Sequence, residues 1–296
     1  MLDYHLHLWP HSEQAVEPRL EEISKYCEVS TSLGVKEIAL TEHLFRFKEA
    51  KTVLGKWWQA KPDTHLHSSM ESYFNFHATE SLEKYIEVTT LAKASGLPVI
   101  TGLEVDYYPG MMDKVSGFLK DYPFDVLLGS VHWLDSWRFD DLDDAISMKE
   151  WDLHPLDTIW KKYSDAVVEL SETKSCDVLA HPDLIKVTSR KITDTGLLNE
   201  FNTRIAESAK ASNLSAEISS AGLRKPVREI YPSNNLLEKF VDLGVSLTTA
   251  SDAHVVKDVS SHQAELKNLL DKYNIGALTR YRNREKYVLK LNEEDQ

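Results

Sequence analysis

Cysteine is scarce in this 296-residue chain, with only Cys27 and Cys176 present. Two thiols cannot staple a chain of this length, so a disulfide scaffold is excluded and a reducing cytoplasm is the expected setting. No stretch approaches the ~18 consecutive apolar residues of a membrane span. The opening segment MLDYHLHLWP has no basic region ahead of an apolar core and does not read as a secretory signal. Low-complexity tracts and repeats of about 20–50 residues are also missing. Basic residues are outnumbered: 34 Lys and Arg face 47 Asp and Glu, for a net charge of −13. Broad nucleic-acid binding needs a positive surface that displaces counterions, so no nucleic-acid partner is expected, and no membrane partner either. An anionic substrate is still allowed, because bound metal ions can make one pocket positive inside an acidic protein.

Short apolar runs alternate with stretches of helical period. Seven runs predict buried strands: Leu2–Leu8, Glu37–Thr41, Pro98–Val105, Asp125–Val131, Asp177–Ala180, Leu214–Ile218 and Val245–Ala250. Between them, helical stripes begin at Val16, Leu82, Leu156, Leu198 and Leu236. This alternation indicates parallel βα units with right-handed crossovers. Seven units favour a (β/α)7, TIM-like α/β barrel over an open doubly wound sheet, and no G-x-G-x-x-G follows any strand. Residues 1–296 read as a single domain. Residues 44–80 form a long connection that contains Trp57, Trp58, His65, His67 and His77, and the segment from about 275 closes the fold.

Histidine is what the chain has in quantity: 12 residues, against 9 Phe and 5 Met. Their placement carries the functional reading. The first strand holds His5 and His7, two apart and therefore on one face, with His11 beyond it. Later strands finish in Thr41-Glu42-His43, Gly102-Leu103-Glu104-Val105-Asp106, Gly129-Ser130-Val131-His132, Ala180-His181-Pro182-Asp183 and Ser251-Asp252-Ala253-His254. Six of the seven predicted strands thus deliver His, Glu or Asp at their C-terminal ends. A single histidine after a strand is ordinarily a cap or a core residue. In a parallel barrel, however, all strand C-termini converge on one face, and scatter does not place six there. Imidazole and carboxylate without thiolate suit Zn, Mn or Fe. Both cysteines read as structural.

In this order and combination the motifs resemble the PHP (polymerase and histidinol phosphatase) family, from Asp3 to His254. Gly222-Leu223-Arg224-Lys225-Pro226, followed by Glu229-Ile230-Tyr231-Pro232, is similar to the stand-alone histidinol-phosphate phosphatases of that family. The resemblance implies a distorted seven-stranded barrel with three divalent metal ions at the strand C-termini. His5, His7, Glu104 and Asp252 would hold the first. Glu104 would bridge to the second, with His132 and His181, and His43, His254 and His11 would hold the third. The implied reaction is hydrolysis of L-histidinol phosphate to L-histidinol and phosphate, in histidine biosynthesis, by a metal-bridging hydroxide. Glu104, Asp252 and His254 would be catalytic. The general acid is left open among His254, Asp252 and a bound water.

Arg224 is a candidate phosphate clamp, Ser130 a hydroxyl donor to phosphate, and Asp106 either a holder of histidine ligands or a site for a cationic substrate. Two departures from the family pattern stand out. His11 lies closer to H-x-H than the usual third histidine, so Glu13 or a water could take its place. The sixth strand ends Glu217-Ile218-Ser219 where Glu-x-Asn is frequent. His65-Leu66-His67 repeats H-x-H inside the long connection and reads as surface loop, while His77, His154 and His262 lack partners by spacing. Trp57 and Trp58 either line the substrate mouth or pack the connection on the barrel. The rival readings are a PHP-type phosphoesterase for another small ester or a nucleotide diester, a metal amidohydrolase, and an inactive metal-binding module.

Overall fold

Strands β1 (Leu2–Leu6), β2 (Glu37–Leu40), β3 (Val99–Asp106), β4 (Val126–Ser130), β5 (Val178–Leu179), β6 (Ser215–Ser219) and β7 (Ser246–Ala250) pair in sequence order, and every pair is parallel. They form a nearly closed barrel in the computed structural model, which describes residues 1–61 and 65–291. All residues of β1 to β6 are buried, because helices cover the outer face and side chains fill the inner one. Each predicted strand is present, with ends shifted by one or two residues. Gly129 is needed where it stands, since a Cβ there would collide with the Cys176 thiol. Both cysteines are buried and free, and burial pushes their thiols up, Cys27 to about 11 and Cys176 to about 12, so they pack rather than react.

The seam between β7 and β1 is joined largely by side chains. Thr249 Oγ1 donates to the Leu2 carbonyl at 2.7 Å, and His7 N donates to Ala253 O at 2.8 Å. Asp3 is fully buried and accepts from the backbone N–H groups of Ser251 (2.7 Å) and Ser260 (2.8 Å) and from both their hydroxyls. Burial pushes the Asp3 carboxyl up to about 6, and these four donors keep it from going further.

The connection after β2 differs from the expected loop. It contains helices Lys48–Leu54 and Leu66–His77 and 3-10 turns Leu44–Arg46 and Trp57–Ala60. His67 and His77 are buried on helix Leu66–His77 and not exposed in a loop. Trp57 and Trp58 pack this segment on the barrel: both rings meet Phe74, and Trp57 also meets Tyr108 and Trp133. The first helix begins at Leu20, later than the Val16 stripe suggested, and Val16 is exposed. Helices Met112–Leu119 and Gln263–Lys272 are short and were not apparent from periodicity.

The described residues end in an antiparallel hairpin, β8 (Ala277–Arg282) and β9 (Glu285–Lys290), under the N-terminal mouth of the barrel. Tyr281 Oη donates to Ser215 Oγ at 2.6 Å, Tyr281 N donates to Tyr4 Oη at 3.3 Å, and Arg284 pairs with Asp177 at 3.0 Å. Among the described residues no helix is long and apolar enough to cross a membrane.

Asp3→Ala would leave the Ser251 N–H and the hydroxyls of Ser251 and Ser260 without their carboxylate partner in the interior, and the Ser260 N–H with only the longer bond to Ser251 Oγ at 3.2 Å. We expect a loss of about 3 kcal/mol in urea unfolding at pH 7. A change below about 0.5 kcal/mol would show that the seam does not depend on Asp3.

Candidate metal centre

Strand geometry brings the predicted site residues together. Side chains two apart on a strand share a face, and all seven strands end at the same rim. His5 and His7 come from the end of β1, His43 follows β2, Glu104 and Asp106 lie in β3, His132 follows β4, His181 follows β5, and Asp252 and His254 follow β7. Glu104 stands at the centre. Its Oε2 lies 3.0 Å from His5 Nε2, 3.0 Å from His43 Nδ1 and 3.4 Å from His7 Nε2. Its Oε1 lies 3.2 Å from His181 Nε2 and 3.6 Å from His132 Nε2. Asp252 Oδ1 approaches His7 Nε2 at 3.5 Å, His254 Nδ1 at 3.6 Å and His5 Nε2 at 3.8 Å.

These separations suit metal coordination better than hydrogen bonding. Bonds of about 2.0–2.2 Å to a metal set donor–donor edges of about 3.0–3.5 Å in tetrahedral or octahedral cages. The Nδ1 and Nε2 atoms of His7 and His43, Nε2 of His254 and Oε1 of Glu104 are buried and lack a hydrogen-bond partner among the described residues. Leaving that many buried polar atoms unpaired is costly unless something binds them. Four overlapping groups bring one donor atom from each member within 4.8 Å of the others: His7/His43/His254, His5/Glu104/His181, His5/His7/Asp252 and His43/Asp106/His132. The donor set therefore fits divalent ions.

The electrostatics agree. Burial pushes Glu104 and Asp252 up, but the imidazoles around each outweigh it and hold both carboxyls well below their usual range. Burial and neighbouring cations drive His43 and His254 well below the ordinary imidazole value, into the neutral form that ligates metal. Asp252 and His181 sit in left-handed backbone, at φ 50° and 26°, where a non-glycine residue is strained.

Further residues orient this cage. Glu217 accepts from His5 Nδ1 at 2.8 Å and from His181 N at 3.0 Å, which fixes His5 with Nε2 toward Glu104. Glu42 lies 3.6 Å from His7 Nδ1 and accepts from Trp9 N at 3.2 Å. Neither role was apparent from sequence, although both residues lie in the motifs; a carboxylate on the same face as the histidines was the available signal. Asp106 is buried against His132 Nδ1 at 2.5 Å and Tyr108 Oη at 3.2 Å, beneath the histidines and not on a wall open to a cationic substrate. Ser130 is buried and its hydroxyl has no hydrogen-bond partner among the described residues.

Arg224 is placed differently from the expected clamp. Its guanidinium donates to Ser251 O (2.6 Å), Asp252 O (3.0 Å) and Ser261 Oγ (2.8 Å), so it braces the Asp252 loop. Its neighbour Lys225 lines the cavity instead. His11 stands at the outer edge of the cluster, its ring 4.3 Å from that of His254 and 5.1 Å from that of His43. Neither His11 nor Glu13 is among the clustered donors of the described residues. His65 and His154 lie apart, on Glu150 at 2.8 and 3.5 Å, and His262 faces Glu265.

A model of the PHP domain matches residues 3–221 of the chain. The chain belongs to the PHP domain family. A curated relative from Deinococcus radiodurans, named probable histidinol-phosphatase, is 25% identical over 268 residues, 90% of each chain. A Lactococcus lactis histidinol phosphate phosphatase, solved with zinc, L-histidinol and phosphate, shares the fold at TM-score 0.68 and 18% identity over 97% of this chain and 98% of that one. A Listeria monocytogenes structure shares it at TM-score 0.68 and 20% identity, over 90% and 99%. Within this PHP chain the donor groups cut across the ligand sets that the family resemblance implies: His7 falls with His43 and His254, and Asp106 joins His43 and His132.

Glu217→Gln would weaken the hold on His5 Nδ1 and raise the Kd for Zn2+ or Mn2+ by about 10–100-fold in calorimetric titration of the metal-free protein. An unchanged Kd would remove Glu217 from the support of the cage.

Proposed function

We propose that this chain is a metal-dependent phosphomonoesterase acting on L-histidinol phosphate. The coarser part, a metal-dependent phosphoesterase, rests on family membership and on the unpartnered imidazoles around Glu104. That cluster is the observation that carries the reading. The substrate is favoured by the Deinococcus relative's name and by what the Lactococcus structure binds. His5, His7, Glu104 and Asp252 would hold one ion, Glu104, His132 and His181 a second, and His43, His254 and His11 a third. Bound there, divalent ions would neutralise a phosphate dianion and acidify water for attack on phosphorus.

The chain's own groups do the rest. The cluster lies at the floor of a cavity of about 410 Å3 that His11, His43 and His132 share with outer residues. Phosphate enters there because Glu104 and Asp252 are surrounded by imidazoles that offset their charge. Asp106 and Glu217 hold His132 and His5 in register. Asp252 is held ionised and His254 neutral, so neither brings a proton of its own; 3.6 Å apart, they are placed to take the proton that the attacking water loses and to pass it to the departing alkoxide. Lys225, which makes no ion pair among the described residues, replaces Arg224 as the cation facing the phosphate.

The test is phosphate release by chelated and reloaded protein, with L-histidinol phosphate set against an aryl phosphate and other small esters. We expect turnover only when metal is restored, and a kcat/KM for L-histidinol phosphate at least about 100-fold above the aryl ester. A flat profile would make the chain a generalist, and a different preferred ester would replace the substrate. Glu104→Gln should cost more than the about 10–100-fold of an outer residue.

A further inference from the structure

The cavity above the metal cluster has a composition that the hydrolytic chemistry does not use. Segment 132–144 crosses the mouth and contributes acids at 140, 141, 143 and 144. Two of these are neutralised: Arg138 pairs with Asp141 and, at 2.6 Å, with Asp144, while lying over the Tyr73 ring at 4.4 Å. The other two do not meet Arg138. Asp143 is exposed on the cavity wall and makes no ion pair among the described residues. Asp140 lines both the outer cavity and the deeper chamber that contains His181, Asp252 and His254. It makes no hydrogen bond among the described residues, its one ion pair there is with His132 Nε2 at 4.0 Å, and Lys225 and His181 act on it from farther away. Lys225 lines the same two spaces and makes no ion pair among the described residues. The walls between are aromatic, from Phe45 and Trp133.

The His132 imidazole becomes a neutral ligand when it holds an ion, which leaves Asp140 as a carboxylate without a close cation beside aromatic faces, a site for an organic cation. Asp140 lies close to the donor cluster, so the cation must sit only a few bonds from phosphorus. We propose that Asp140 is the specificity-determining residue of this site, selecting phosphate monoesters of 2-amino alcohols by binding their ammonium group, with Phe45 and Trp133 receiving the remainder of the alcohol. This inference rests on the phosphomonoesterase reading and deepens it. It requires a cationic leaving group and does not require that the alcohol be histidinol.

The first test needs no variant. Metal-loaded enzyme is assayed with two matched pairs: phosphoethanolamine against ethyl phosphate, and L-histidinol phosphate against its N-acetyl derivative. The amine-bearing member of each pair should have a kcat/KM about 10–100-fold higher, carried by KM. Equal values within both pairs would overturn the proposal even if L-histidinol phosphate is turned over. Preference for phosphoethanolamine with no turnover of L-histidinol phosphate would support it while removing the substrate reading.

Asp140→Asn should then collapse the ratio within each pair at least about tenfold, and Asp140→Glu should restore part of it. Bound metal, measured by elemental analysis, should match wild type. Loss of metal would overturn the proposal by making Asp140 a ligand, and an unchanged ratio would overturn it directly. Calorimetry gives a readout without turnover: L-histidinol should bind wild type more tightly than N-acetyl-histidinol, and Asp140→Asn should abolish the difference. Equal binding of the two alcohols by wild type would count against the proposal.

Discussion

Strand β7 meets β1 through few backbone hydrogen bonds, and the buried carboxylate of Asp3 supplies much of what is missing. An open seven-stranded sheet would place His5 and Asp252 at opposite edges. The closed one places them 3.8 Å apart. Convergence at the rim is a property of the ring and of the parallel sense of its strands. Arg224 reinforces the join from the other side by holding the carbonyls of Ser251 and Asp252.

Burying several titratable groups together is tolerable only when their charges offset one another. Glu104 and Asp252 are held ionised by the imidazoles around them, while His43 and His254 are kept neutral by burial. The result is a cage in which carboxylate oxygens meet imidazoles of two kinds, His5 and His132 favoured in the charged form and His43 and His254 in the neutral one, and several of these atoms find no hydrogen-bond partner among the described residues. The strained backbone at His181 and Asp252 belongs to the same arrangement, since each follows a strand end and turns inward, His181 to Glu104 and Asp252 to His5 and His7.

Much of this was legible in the sequence because strand period and strand order are simple. Continuous apolar runs marked all seven strands, and the residues at their ends marked the cluster. What stayed hidden depends on contacts between distant segments. Nothing local shows that Asp3 bonds Ser251 and Ser260, or that Glu217 orients His5 across the barrel. Residues 44–80 looked like a loop because helix Lys48–Leu54 is short and helix Leu66–His77 carries polar and aromatic residues on a poorly defined stripe. Arg224 and Lys225 are adjacent, and only the direction of each side chain separates a brace from a cavity lysine. Asp140 was lost among neighbouring acids until the ion pairs of Arg138 removed two of them.

The seam has one more consequence. His5 and His7 precede it and Asp252 follows it, so an ion captured by all three would tie the two ends of the sheet as a staple does. Such a tie spans nearly the whole chain and forms only once the ring has shut, so its binding energy would be added to the folded state alone. In the denatured chain these ligands are separated by a loop whose closure entropy grows slowly with length, at about 0.6 kcal/mol per doubling. Ring closure and ion capture would then be two sides of one equilibrium, with each raising the population of the other.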